Sequence, residues 1–204
     1  NGKCIYSKFS KAFTAVTSVP KVSGFKSASV TTDSYKLVWN AVQNAQGYYL
    51  YRFSNETGDF ERVAILNTTE YAFSEKDVAE RDSYRICAYA TVNGKRMYGE
   101  MTDTLDVSTR PESTMLYKGE DALRNGKVKL EWDECEKCDG YLIYVSNDPD
   151  SGFSLAKEVS DSGTTSAVVS GLENTVLYFR IKSYVLTGGT YVVSKESNTV
   201  RVLV

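Results

Sequence analysis

Trp39-Asn-Ala-Val-Gln-Asn-Ala-Gln-Gly47-Tyr48 returns 93 residues later as Trp132-Asp-Glu-Cys-Glu-Lys-Cys-Asp-Gly140-Tyr141. A repeat of this length exceeds the ~20 to 50 residues of a solenoid unit and suits one small domain. The 204 residues therefore read as two tandem copies, at 20–109 and 111–204, each large enough to bury one core. Pro20 and Pro111 open the copies just after a final strand, where the loss of an N–H is harmless. The linker around Thr109-Arg110-Pro111 is short and predicts limited freedom between the copies.

Working outward from the repeat, the pattern has period two throughout. Tyr35-Lys-Leu37-Val-Trp39 alternates, and so does Tyr48-Tyr-Leu50-Tyr-Arg52. Leu37, Trp39, Tyr48 and Leu50 fall on the core face, while Tyr49 and Tyr51 fall outside. Tyr84-Arg-Ile86-Cys-Ala88 sends Tyr84 and Ile86 inward and Cys87 outward, as a free surface thiol. The second copy repeats the order with Leu130, Trp132, Tyr141, Ile143, Phe179 and Ile181 inward and Tyr144 in the place of Tyr51. Clusters such as Asn93-Gly94 and Gly188-Gly189 supply tight hairpin turns. The expectation is all-β: two tandem seven-stranded immunoglobulin-like β-sandwiches, each closed by a last strand, Thr102 to Val107 or Ser197 to Val202.

Residues 1–19 echo the end of a copy. Asn1-Gly-Lys-Cys-Ile-Tyr6-Ser-Lys-Phe9-Ser10 lines up with Asn93-Gly-Lys-Arg-Met-Tyr98-Gly-Glu-Met101-Thr102. They read as the terminal strand of a preceding truncated repeat, or else as an N-terminal extension of the first domain. A strand without its sheet seeks a foreign edge, so a strand-mediated dimer through 1–19 is the alternative to an expected monomer. The chain carries neither a charged leader before an apolar run nor an 18-residue apolar span, and is expected to be a piece of something longer that does not insert in a membrane.

Composition narrows the chemistry. The 24 Lys and Arg stand against 26 Asp and Glu with no basic run, which argues against nucleic acid. The absence of histidine removes Ser-His and Cys-His nucleophiles and His-containing zinc sites. Cys135-Glu-Lys-Cys138 is a CxxC, but it aligns with Val42 and Ala45, so the leading reading is packing as small hydrophobes. A local disulfide and metal or redox work are the alternatives. Cys4 and Cys87 add no second CxxC. Carboxylates such as Glu131, Asp133 and Glu134 find no counterparts at Val38, Asn40 and Ala41, against a catalytic acid/base pair. No enzyme, cofactor or metal is expected.

Taken together, Leu37-Val-Trp39, Ala45-Gln-Gly47-Tyr48-Tyr-Leu50-Tyr51-Arg52 and Tyr84-Arg-Ile86-Cys-Ala88-Tyr89 with Asn93-Gly-Lys-Arg-Met-Tyr98 resemble the fibronectin type III domain. The closer resemblance is to the form found in tandem on large secreted or cell-surface proteins of Gram-positive bacteria. It implies a non-catalytic extracellular interaction or spacer module, such as a cell-adhesion or surface-protein fragment, flanked by neighbouring domains. The second copy departs from the pattern at Cys135 and Cys138, and at Val176-Leu177-Tyr178 before Phe179. The integrin-binding Arg-Gly-Asp triplet of some animal relatives is absent, since Glu80-Arg81-Asp82 is not it.

Three candidates for binding remain. Outward Tyr49, Tyr51 and Tyr144 suit sugar or peptide stacking, equally the ordinary cross-strand pairing of a half-exposed sheet. This supports the alternative of a carbohydrate-binding accessory module of a polysaccharide-degrading enzyme. Lys95 and Arg96 sit in the Asn93-Gly94 loop, a frequent binding position that is also a plain hairpin turn. The turn Asn147-Asp148-Pro-Asp150-Ser-Gly152 has alternating oxygens faintly like a calcium loop, but lacks its downstream Glu.

Overall fold

The structure, a computed structural model, describes residues 6–11, 18–119, 126–173 and 176–204. The first half forms β1 (Lys26–Ala28), β2 (Tyr35–Val38), β3 (Gly47–Ser54), β4 (Asp59–Leu66), β5 (Glu70–Phe73), β6 (Arg81–Val92), β7 (Lys95–Tyr98) and β8 (Leu105–Ser108). The second forms β9 (Leu116–Lys118), β10 (Lys127–Trp132), β11 (Gly140–Ser146), β12 (Ser154–Val159), β13 (Ser166–Ser170), β14 (Val176–Thr187), β15 (Thr190–Val193) and β16 (Val200–Leu203). Sheet β1-β2-β5 faces sheet β4-β3-β6-β7, and β9-β10-β13 faces β12-β11-β14-β15, all antiparallel. β8 and β16 complete the larger sheets by pairing with β6 and β14.

Each copy thus has seven strands, the last of them in two pieces. The sequence places that strand from Thr102 or Ser197 onward, whereas the second piece starts only at Leu105 or Val200. The cause is a side chain in the ladder. Thr102 Oγ1 accepts the Ile86 N–H at 3.0 Å and Ser197 Oγ the Ile181 N–H at 2.9 Å, where a backbone carbonyl would otherwise pair.

Between the sheets lie two cores, one holding Leu37, Trp39, Tyr48, Leu50, Tyr84 and Ile86, the other Leu130, Trp132, Tyr141, Ile143, Phe179 and Ile181. Burying each of these side chains contributes roughly 1.5 to 3 kcal/mol, the dominant favourable term in a small sandwich. The motif that reveals the repeat has a physical basis. Trp39 packs edge-on against Tyr48 at 5.5 Å, and Trp132 packs at a tilt against Tyr141 at 5.3 Å. Each tyrosine hydroxyl then ties down the preceding loop, accepting the N–H of Val42 at 3.0 Å or of Cys135 at 2.8 Å. The intervening glycine is required by close approach. A Cβ on Gly47 would lie 2.5 Å from the Leu66 carbonyl oxygen and 2.8 Å from the Tyr89 ring, and one on Gly140 would lie 2.1 Å from the Val159 oxygen.

The link between the sandwiches is tightly held. Ser108 and Thr109 are fully buried. Thr109 N–H donates to the Glu80 carbonyl at 3.1 Å, its hydroxyl accepts the Glu80 N–H at 2.9 Å and donates to the Asp77 carbonyl at 2.6 Å. Arg110 N–H donates to the Thr31 carbonyl at 2.8 Å, and Ser183 Oγ donates to the Glu112 carbonyl. Across the junction, Arg81 donates to both oxygens of Asp139 at 2.7 Å, while Leu186 N–H reaches the same carboxylate at 2.8 Å.

Candidate functional site

Of the candidate binding residues, Tyr49, Tyr51 and Arg96 come together on the outer face of the β4-β3-β6-β7 sheet. Alternation puts Tyr49, Tyr51 and Phe53 of β3 on this face, beside Arg85, Cys87 and Tyr89 of β6. Register then brings Phe60, Arg62 and Ile65 from β4, and Arg96 and Tyr98 from β7. Tyr51 lies directly between Arg62 and Arg85, since it pairs with both.

The rings form one cluster. Tyr49 sits 4.9 Å from Tyr89, 5.6 Å from Tyr98 and 6.5 Å from Tyr51. Arginines lie on them: Arg62 is 4.7 Å from the Tyr49 ring centre, Arg85 4.3 Å from that of Phe60, and Arg96 5.0 Å from that of Tyr89. Arg96 also donates to the Tyr49 hydroxyl. Among the described residues none of these three arginines is paired with a carboxylate. Each contact of this kind contributes about 0.5 to 1 kcal/mol at an exposed site and stacks the guanidinium without using its N–H edge, from which Arg96 gives one bond to Tyr49 and Arg85 one to Thr104.

Two expectations need correction. Tyr49 points outward but is only 3% exposed, because Arg62, Arg96, Tyr89 and Tyr98 cover it, so it offers no free ring for stacking. Cys87 likewise lies on the outer side of β6, yet it is buried at 4% beneath the same rings. Its thiol is no surface group, and burial pushes its pKa up. Tyr51 and Tyr144 are half-buried, the latter with Lys182 Nζ 5.4 Å from its ring. Lys95 is exposed and, one residue from Arg96, points to the opposite side of β7. Asn93 and Gly94 both have positive φ, 49° and 77°, as the tight turn between β6 and β7 demands.

The other candidates resolve locally. Cys135 and Cys138 are free thiols buried in the second core. The Cys138 thiol hydrogen-bonded beside it draws the Cys135 pKa down against the effect of burial, and the same bond pushes Cys138 up. In the Asn147–Gly152 turn, Asp148 Oδ1 accepts the N–H groups of Asp150 at 2.8 Å and Ser151 at 3.0 Å, the work of an Asx turn. No group of three metal-ligating side chains occurs among the described residues. Residues 6–11 contain no strand, and Tyr6 and Phe9 are exposed; the rest of the N-terminal stretch expected to be a strand, including Cys4, lies outside the described residues except for 18 and 19.

No protein-family model matches the chain, and no curated protein matches it in sequence. Among solved structures it is similar to the FN1–FN3 domains of chicken CNTN1, at 14% identity over 91% of this chain and 68% of that one, with a TM-score of 0.48. It is also similar to a two-domain fibronectin type III segment from chicken tenascin, at 15% identity over 90% of this chain and 98% of that one, with a TM-score of 0.43. The strand order and register described above decide the fold. Each half of the chain is a fibronectin type III-like sandwich.

Arg62, Arg85, Tyr89 and Tyr98 of the first fibronectin type III-like sandwich were not singled out by sequence reading. The signal existed for Arg85 and Tyr89, which alternate with the inward Tyr84, Ile86 and Ala88. Arg62 had no such signal, because a bulge opposite Leu50 and Tyr51 shifts the register of β4 by one residue.

Proposed function

We propose that this tandem serves as a non-catalytic interaction and spacer module of an extracellular or cell-surface protein, acting as a monomer. The observation that carries this reading is the junction. A linker whose Thr109 is fully buried, and whose backbone is bonded to the first sandwich at Thr109 and Arg110, cannot act as a swivel. Such a module holds its neighbours at a set distance while displaying a surface.

The test is small-angle scattering with mass determination on the intact chain and on a variant with four Gly-Ser residues inserted between Arg110 and Pro111. The reading expects a monomer with a narrow range of maximum dimension, and a broader range after insertion. Equal ranges would show that the linker does not hold the domains.

The carbohydrate-binding alternative, and with it a place beside a polysaccharide-degrading enzyme, now depends on Tyr98, 54% exposed, and half-buried Tyr51, because Tyr49 is covered. Glycan-array binding lost in Tyr98→Ala would favour it.

A further inference from the structure

We propose that the outer face of the β4-β3-β6-β7 sheet docks an acidic polypeptide segment of a partner protein, with Arg62, Arg85 and Arg96 taking its carboxylates. The proposal rests on the interaction-module reading and specifies its partner. The two sandwiches provide the argument, because the same register positions are filled so differently.

In the second sandwich Arg180 repeats Arg85 closely. It lies 4.1 Å from the Phe153 ring centre and donates to Thr199 at 2.9 Å, as Arg85 donates to Thr104 at 3.0 Å. There, however, Arg180 also meets Glu196 at 2.7 Å, which Lys182 shares at 3.2 Å. Leu155 stands opposite Tyr144 where Arg62 stands opposite Tyr51, and Tyr191 takes the place of Arg96. Glu158 takes the place of Ile65, receiving the hydroxyls of Tyr184 at 2.9 Å and Tyr191 at 3.0 Å. The second face thus pairs Arg180 and Lys182 with Glu196 and holds Glu158 between two tyrosine hydroxyls, with Arg201 of β16 as its third cation. The first carries three arginines, none of them ion-paired among the described residues, and its carboxylate on β8, Asp106, accepts from the Ser83 hydroxyl at 2.5 Å.

Unmatched arginines already oriented on rings lose little side-chain freedom on binding, and their planar donor edges suit carboxylates. A sulfated polysaccharide shares the anionic chemistry but has no apolar groups to bury. This face exposes Phe53 at 38%, Ile65 at 52% and Tyr98 at 54%, a mixture of arginine, aromatic and aliphatic surface that suits a protein partner. With only three cations and a pI near 5.4, the chain is poorly matched to nucleic acid.

The experiment is fluorescence anisotropy of the full chain with a labelled 12-residue peptide in which Glu alternates with Ser and Leu. The same peptide with Gln for Glu, and a labelled heparin hexasaccharide, serve as comparisons. The variant R62L/I65E/R96Y installs the second sandwich's residues at the same register, so the fold is retained, as its circular dichroism and melting would verify. K182A on the second face is the control. The proposal expects salt-sensitive binding of the Glu peptide, about tenfold or more weaker in the triple variant and unchanged in K182A. Equal binding of the Glu and Gln peptides, binding of the hexasaccharide alone, or binding of none of the three would overturn it. The spacer reading would survive any of these, since its scattering test does not involve this face.

Discussion

In the first sandwich the end of the core nearest the linker is polar: Tyr35 donates to Asp82 at 2.6 Å and shares a 2.8 Å bond with Tyr84, and Lys76 Nζ reaches Asp82 at 2.7 Å. In the second, Val128, Leu177 and Phe179 fill the corresponding positions, with Leu172 packed against them. The outer faces differ in the opposite sense, the first leaving its three arginines without an ion pair among the described residues and the second pairing Arg180 and Lys182 with Glu196. One backbone therefore supports two ways of handling charge. A sandwich core needs only its apolar layer and its Gly-Tyr corner, leaving the core's end and the outer face open to vary.

The largest effect expected is from truncating either core tryptophan. Trp39→Ala or Trp132→Ala should cost about 3 to 5 kcal/mol. If the sandwiches are thermodynamically separate, calorimetry will show one lowered transition and one unchanged, and the fluorescence of the remaining tryptophan will melt as before. Lowering of both would mean that the junction couples them.

Next comes the polar end of the first core. Lys76→Met leaves Asp82 without its cation and should cost the first sandwich about 3 kcal/mol, with nothing comparable in the second. Burial raises the Asp82 pKa, but bonds from Lys76 and Tyr35 outweigh it and hold the carboxyl below its ordinary value. A depressed carboxyl stabilises the fold above the unfolded pKa, and that stability disappears as pH falls through the folded value. The first sandwich should therefore lose stability in acid through this group, whereas Glu158 and Glu196 are surface carboxylates with small contributions. Following the two calorimetric transitions from pH 7 to pH 2 checks this; a second transition that fell faster would contradict it.

The smallest effect sharpens the shared corner. Gly47→Ala and Gly140→Ala should each cost about 1 to 3 kcal/mol, with Gly140 the worse because its Cβ would come closer to a carbonyl oxygen. Chemical denaturation resolves the ranking.

Most of the architecture was legible from the sequence. Period two and the Trp-to-Gly-Tyr spacing located both cores, since side-chain alternation and close backbone approach are local properties. What escaped was decided by strands distant in sequence. Alternation assigns Tyr49 and Cys87 a side of the sheet, but not the cover that Arg62 and Arg96 supply from β4 and β7. The break in the last strand depends on whether a threonine or serine hydroxyl faces an N–H across the ladder, which periodicity does not encode. Nor does it show that Lys76 and Asp82, both in polar stretches, would meet beneath Tyr35.

The buried Thr109 has a consequence of another kind. Because it locks the linker to the first sandwich while Arg81 grips Asp139, the azimuth at which one sheet face follows the next is set by the chain itself. Repeats joined in this way would behave as a screw thread rather than as beads on a string, with each sheet face recurring at a fixed phase along the axis.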